Sequence, residues 1–123
     1  MLNLSTDIKQ LIREPAPDPD FPHAPPGWTK VDAMRIARDE RIGLTEAHWE
    51  AVRALQAYYA RHDDGGPINL RELHDALDEH FHAQGGLKYL YTLFPAGPIA
   101  QSCRLAGLKA PSIATDPGFG SVA

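Results

Sequence analysis

The stretch Tyr89-Leu90-Tyr91-Thr92-Leu93-Phe94-Pro95-Ala96-Gly97-Pro98-Ile99-Ala100-Gln101-Ser102-Cys103-Arg104-Leu105-Ala106-Gly107-Leu108 decides how the rest of the chain is read. Its apolar and aromatic first half, which begins two residues earlier at Leu87, stops at Pro95, and the helical segments around it favour a buried helix over a strand. Pro98 suits the first turn of a second helix, Pro98 to Ala106, because its missing N–H is one that a helix start leaves unpaired anyway. Gly107 then supplies the left-handed residue that closes a helix. Cys103 falls four residues after Ile99 and three before Ala106, on a short apolar helix.

Working toward the N-terminus, Asn69 followed by Glu72 is a capping-box-like start, and Leu70, Leu73, Leu77 and Phe81 form one apolar stripe that Gly85-Gly86 closes. Before it, Thr45 is a good N-cap with Glu46 at the positive helix start. Trp49, Val52, Leu55 or Gln56, and Tyr59 trace one face of that helix, and Asp63-Asp64-Gly65-Gly66-Pro67 ends it. Val31, Met34 and Ile36 to Ala37 predict a further helix from Lys30 to Glu40, with Gly43 as its stop. Six of the eleven prolines lie between Pro15 and Pro26, which forbids a regular helix there and favours an extended linker laid along the domain. Thr6 can cap a short turn carrying Ile8, Leu11 and Ile12. Beyond Gly107, Pro111, Pro117, Gly118 and Gly120 predict a mobile tail. The expected organisation is a proline-rich extension over 1–27, a helical domain over 28–110 and a flexible C-terminal arm over 111–123.

At 123 residues and 43% hydrophobic content the chain can build one core. No run approaches the roughly 18 apolar residues of a membrane span, and the N-terminus does not read as a signal peptide, so a cytoplasmic protein with no membrane partner is expected. A single cysteine cannot close an intramolecular disulfide, and a reducing compartment fits. Twelve basic against sixteen acidic residues give a net charge of −4, which makes nucleic acid an unfavoured partner and other proteins a favoured one.

Cys103 is the one thiol. Its position fits a buried wall residue as readily as a reactive one: Arg104 and Lys109 favour the thiolate, while a helix C-terminus disfavours negative charge. His74, Asp78 and His82 share one side of a helix, but they extend over two turns, so a single ion would reach only two of them, and a solvated acidic face explains them better. No phosphate loop, nucleophile elbow or zinc pattern is present, so no metal and no cofactor is expected. The turn between the Thr45 and Asn69 helices allows a helix-turn-helix, yet the outward residues Arg71, Glu72, Asp75, Asp78 and Glu79 are mostly carboxylates, which oppose phosphate contact. Among the aromatics, Trp49, Tyr58, Tyr59, Tyr89, Tyr91 and Phe94 are expected mostly in the core, with one or two free to line a docking groove.

Together these residues resemble the DsrC/TusE family. The stretch from Tyr89 to Leu108 is similar to its Y-L-Y-x-L-F-P-x-G-P-x-x-Q-A-C-x-x-A-G-L signature, and Leu44-Thr45-Glu46-Ala47-His48-Trp49 resembles its L-T-x-x-H-W, with Tyr58-Tyr59 following. Arg71 matches an arginine of the next helix. The resemblance implies a mainly α protein: a small orthogonal helical bundle with a helix-turn-helix-like element and often a short N-terminal β-hairpin, from whose usual sequence the proline-rich start here departs. It implies a sulfur-relay role, with sulfur-transfer or sulfite-reductase-type partners. In the family, sulfur rides on a penultimate cysteine of a flexible arm, and some members hold an upstream cysteine as well. Cys103 matches the upstream position; counting the family spacing forward lands on Ala114, position 122 is Val122, and Lys109 replaces the usual proline. Cys103 is thus the expected persulfide or redox thiol, which requires an exposed thiolate. Arg71, Lys88, Tyr89, Tyr91 and Arg104 are the expected partner-binding residues. A second reading is a regulatory or DNA-binding protein that keeps the fold without sulfur transfer.

Overall fold

The computed structural model describes residues 18–62 and 68–111. Its helices run α1 (Lys30–Asp39), α2 (Glu46–Arg61), α3 (Leu70–His80), a 3-10 turn (His82–Gln84), α4 (Leu87–Leu93) and α5 (Pro98–Ala106). The mainly α expectation holds, and the described residues contain no strand. The Thr6 turn, the region where a hairpin would begin and the arm beyond Pro111 fall outside the described residues.

Local chemistry explains most helix boundaries. Asn69 accepts the Glu72 N–H at 3.0 Å, and Thr29 accepts the Asp32 N–H at 3.2 Å. Pro98 opens α5, and Gly107 closes it in the left-handed region at φ 77°. A Cβ at Gly107 would also lie 2.7 Å from Trp28 Cδ1, so both the backbone and the neighbouring ring require glycine.

The end of α1 differs from expectation. The helix stops at Asp39, within a residue of the expected Glu40, but Gly43 is not its stop: Arg41, not a glycine, takes the left-handed conformation at φ 61°. Two bonds hold Arg41 there: its own N–H reaches Arg38 O at 3.1 Å, and the Ile42 N–H reaches Ala37 O at 2.8 Å. This is the Schellman closure, and its satisfied carbonyls offset the steric cost of a side chain at positive φ.

α5 is the central helix. Pro98, Ile99, Gln101, Ser102, Cys103, Leu105 and Ala106 are all buried, and it packs against α1, α2 and α4. The last four carbonyls of a helix have no partner within it, and here each one finds a donor elsewhere. Leu108 N–H serves Cys103 O at 2.9 Å, and Gly107 N–H serves Arg104 O at 3.4 Å. Trp28 Nε1 serves Leu105 O at 2.8 Å, and Gln56 Nε2 serves Ala106 O at 3.0 Å. The end of α5 is thereby tied to the 21–28 segment and to α2.

The core reaches back beyond Trp28. Phe21 is 2% exposed, packed against Trp28 at 4.9 Å and edge-on to Trp49 at 5.6 Å between ring centroids, with the Arg53 guanidinium 5.1 Å away. The segment leading into α1 is therefore part of the packed domain, at least from Phe21 onward.

Candidate functional site

Cys103 points inward. It is 1% exposed and unpaired. Tyr59, three residues after Gln56 on α2, supplies the nearest polar group: its hydroxyl lies 3.8 Å from Cys103 Sγ and donates to Lys109 O at 2.8 Å. One hydroxyl thus touches the thiol and holds the segment that leaves α5.

Burial decides the protonation state. It pushes the Cys103 thiol up to about 11, against the smaller opposing pull of the Tyr59 hydroxyl and of the Arg104 charge. Tyr59 is likewise pushed above the ordinary phenol range, chiefly by burial and then by its proximity to Cys103. At neutral pH the site is a neutral thiol beside a neutral phenol. The exposed thiolate required of a persulfide carrier is absent from this conformation.

Arg104 turns away from its neighbour. Its Nε and Nη2 grip the Glu40 carboxylate at 2.6 and 2.8 Å, a bidentate pair. The same carboxylate accepts Gln101 Nε2 at 2.8 Å, and Gln101 Oε1 accepts the Ala96 N–H at 3.1 Å. The Arg104 guanidinium, foremost among these contacts, holds Glu40 below the usual carboxylate range. The left-handed turn at Arg41 lies at the α1 end that carries Glu40, joining α1 to the α4–α5 turn through a polar chain.

The other expected partner-binding residues are distributed over two helices. Lys88 and Tyr91 are exposed on α4, Tyr91 at 56%, so the helix expected in place of a strand is present, but only Leu90 within it and Phe94 just beyond it are buried. Tyr89 is half-buried, with its ring 6.0 Å from Phe81. Arg71 is exposed at the second position of α3. The same helix exposes Glu72, Asp75, Asp78 and Glu79, a face that repels phosphate. Asp78 also anchors the start of α4, where its Oδ1 accepts the Leu87 N–H at 2.9 Å. No cluster able to hold a metal occurs among the described residues, and no described helix is long and apolar enough to cross a membrane.

His48 explains the L-T-x-x-H-W resemblance. Thr45 N–H donates to His48 Nδ1 at 3.1 Å, so the ring proton sits on Nε2 and is given to Leu93 O at 2.9 Å. The buried ring also meets Phe94 edge-on at 5.2 Å. One side chain therefore caps α2 and fixes the end of α4.

Of the residues that matter to the site, Tyr59 is marked in sequence by the family resemblance, whereas Gln56 and Glu40 carry no mark beyond a polar group on or beside an apolar stripe. The clearest signal is Gln56, an amide where the α2 face calls for an apolar residue.

Comparison with known proteins agrees with this architecture. A family model, DsrC like protein, matches residues 18–114. The chain is similar to the sulfurtransferase TusE of Photorhabdus laumondii, with 36% identity over 85 residues covering 68% of this chain and 75% of that protein. It is similar to the sulfurtransferase TusE of Yersinia pseudotuberculosis, with 39% identity covering 68% and 77%. The NMR structure of Allochromatium vinosum DsrC superposes with a TM-score of 0.57 and 38% identity, covering 68% of this chain and 74% of that one.

Proposed function

The chain belongs to the DsrC-like family, and on that premise we propose that it serves a sulfur relay as an accessory component that docks on sulfur-transfer or sulfite-reductase-type partners and accepts sulfur at Cys103 only when the cover over that thiol opens. The similarity to two sulfurtransferases and to a DsrC structure supports the relay role. One observation carries the conditional part: the only thiol among the 123 residues is buried, and the Tyr59 hydroxyl beside it also holds Lys109 in the segment that leaves α5. A hydrogen bond of this kind contributes about 1 kcal/mol net, so a docking partner can displace it.

The chemistry that follows opening is an exchange with no net oxidation. The donor is a protein persulfide, R–S–SH. Once solvated, the Cys103 sulfur attacks the outer sulfur of the donor, a new S–S bond forms, and the donor's S–S bond breaks. The electron pair leaves with the donor's inner sulfur, which takes up the proton that Cys103 released. Tyr59 contributes by position: it keeps the neutral thiol covered until then.

Mass spectrometry after exposure to a protein persulfide donor tests this reading. The native chain is expected to gain one sulfur slowly, and the Tyr59→Phe, Leu108→Ala double variant at least about tenfold faster, as the loss of about 1.4 kcal/mol of closure requires. Native loading as fast as that of the unfolded chain would remove the cover from the account. No loading of the opened variant, under conditions that load a two-cysteine relative, would remove sulfur acceptance at Cys103.

A further inference from the structure

Helix α1 buries Ala33 and Ala37 against the core, while Val31, Met34, Arg35 and Arg38, at i, i+3, i+4 and i+7, share its solvent face. Val31 is 62% and Met34 46% exposed, two of the three large hydrophobic side chains that the described residues leave open. Arg35 pairs with Asp32 at 3.1 Å, whereas Arg38 makes no ion pair among the described residues. The face is thus apolar toward the start of α1 and basic toward its end.

A second copy of the chain is a poor occupant for it. One side of this ten-residue helix is about 15 Å long and 10 Å wide, roughly 150 Å² of contact, against about 800 Å² per partner in a stable interface. A segment tethered to the same domain needs far less, because a short linker holds it at about millimolar effective concentration. The sequence contains such a segment: Asp7 to Glu14 follow the Thr6 cap and carry Ile8, Leu11 and Ile12 on one side. A helix that short is marginal alone and needs an apolar surface to cover. Pro15, Ala16 and Pro17 join it to Asp18, a linker that spans at most about 10 Å. The Phe21 N–H reaches Asp18 O at 2.9 Å, and Lys30 Nζ, from the first residue of α1, lies 5.7 Å from the Phe21 ring. The linker therefore meets the domain beside the start of α1.

We propose that the segment between Asp7 and Glu14 forms two helical turns that lie antiparallel on α1, with Ile8 and Leu11 covering Val31 and Met34, and Asp7 beside Arg38. The tether sets the direction: the C-terminal end of the segment is held at the α1 start, so its first residue reaches the α1 end. The lengths agree, since Asp7 and Glu14 are seven residues apart, as are Val31 and Arg38, about 10 Å along a helix axis in both. The charges agree as well, because this direction brings Asp7 to a guanidinium and Glu14 to the positive start of α1. With the segment seated, α1 is withdrawn from partner contact, and docking is left to the α3 and α4 faces that carry Arg71, Lys88 and Tyr91.

The test uses the full chain, isotope-labelled for methyl and amide NMR. Nuclear Overhauser contacts are expected from the Ile8 and Leu11 methyls to those of Val31 and Met34, with helical carbon shifts over 7–13. Leu11→Glu should weaken the seating at least about tenfold, returning 7–13 to random-coil shifts and moving the Val31 and Met34 signals. Met34→Glu, at a position already open to solvent, should do the same from the α1 side while the core signals stay in place. Asp7→Arg should weaken the seating about twofold, and adding Arg38→Asp should restore it. Absent contacts between the two sets of methyls would overturn the proposal. So would contacts that appear only between differently labelled copies in a mixed sample, since the occupant would then be a second chain. A charge exchange that fails to restore the seating would overturn the antiparallel placement.

Discussion

Replacing His48 by Ala is expected to destabilise the fold by about 3 kcal/mol, because one ring serves three neighbours at once. The Thr45 N–H loses its acceptor, at a cost of about 1 kcal/mol for a lost cap. The Leu93 carbonyl, at the end of α4, loses the Nε2–H that satisfies it, which costs about 1–3 kcal/mol where no water replaces it. The edge-on contact with Phe94, a residue with 0% exposure, goes as well, worth about 1 kcal/mol. His48→Gln keeps a side chain able to accept the Thr45 N–H, as Gln commonly does at the third helical position, and should lose about half as much. Denaturant unfolding of the two variants checks this. A His48→Ala chain within about 0.5 kcal/mol of the native one would mean that the ring does not join α2 to α4.

Raising the pH from 8 to 11 should cost the native chain about 2 kcal/mol more than it costs Cys103→Ala. The thiol, pushed up to about 11 by burial, stays protonated in the folded chain after it has ionised in the unfolded one. Below the ordinary thiol range both states hold the proton, and the stabilisation is fully present. As pH climbs through that range only the unfolded chain releases its proton, so stability falls, and the fall ends near the folded value. Tyr59, also raised by burial, acts in the same direction at higher pH. Cys103→Ala leaves a small cavity and starts less stable, so the informative quantity is the difference between the two curves. Curves that run parallel would mean that the thiol is already solvated.

Where one residue fixes a local geometry, the sequence was sufficient. Thr45, Asn69, Pro98 and Gly107 act through their own side chain or backbone, and each stands at the helix boundary expected of it. Features that depend on distant partners were not legible. Arg41 adopts a glycine-like conformation because Ala37 and Arg38 hold it, and Gly43 is left without that role. Phe21 lies in a proline-rich stretch with no helical period, so nothing local announces that Trp28 and Trp49 enclose it. Cys103 shares a helix with neighbours that are buried nearly all round, so the helical period could not distinguish an inward thiol from a reactive one. The cover is a relation between Tyr59 and Lys109 across the fold. The resemblance to a family located Cys103 without revealing its surroundings.

The most direct test of a thiol guarded by one tyrosine is its rate of alkylation at pH 7, followed by mass spectrometry in the native chain, in Tyr59→Phe and in the chain unfolded by urea. The native rate should lie at least about a hundredfold below the unfolded rate, the factor set by two pKa units before any cost of opening is added. Tyr59→Phe should fall between the two. Native and unfolded chains reacting at the same rate would contradict the account, since Cys103 would then stand open with no cover to displace.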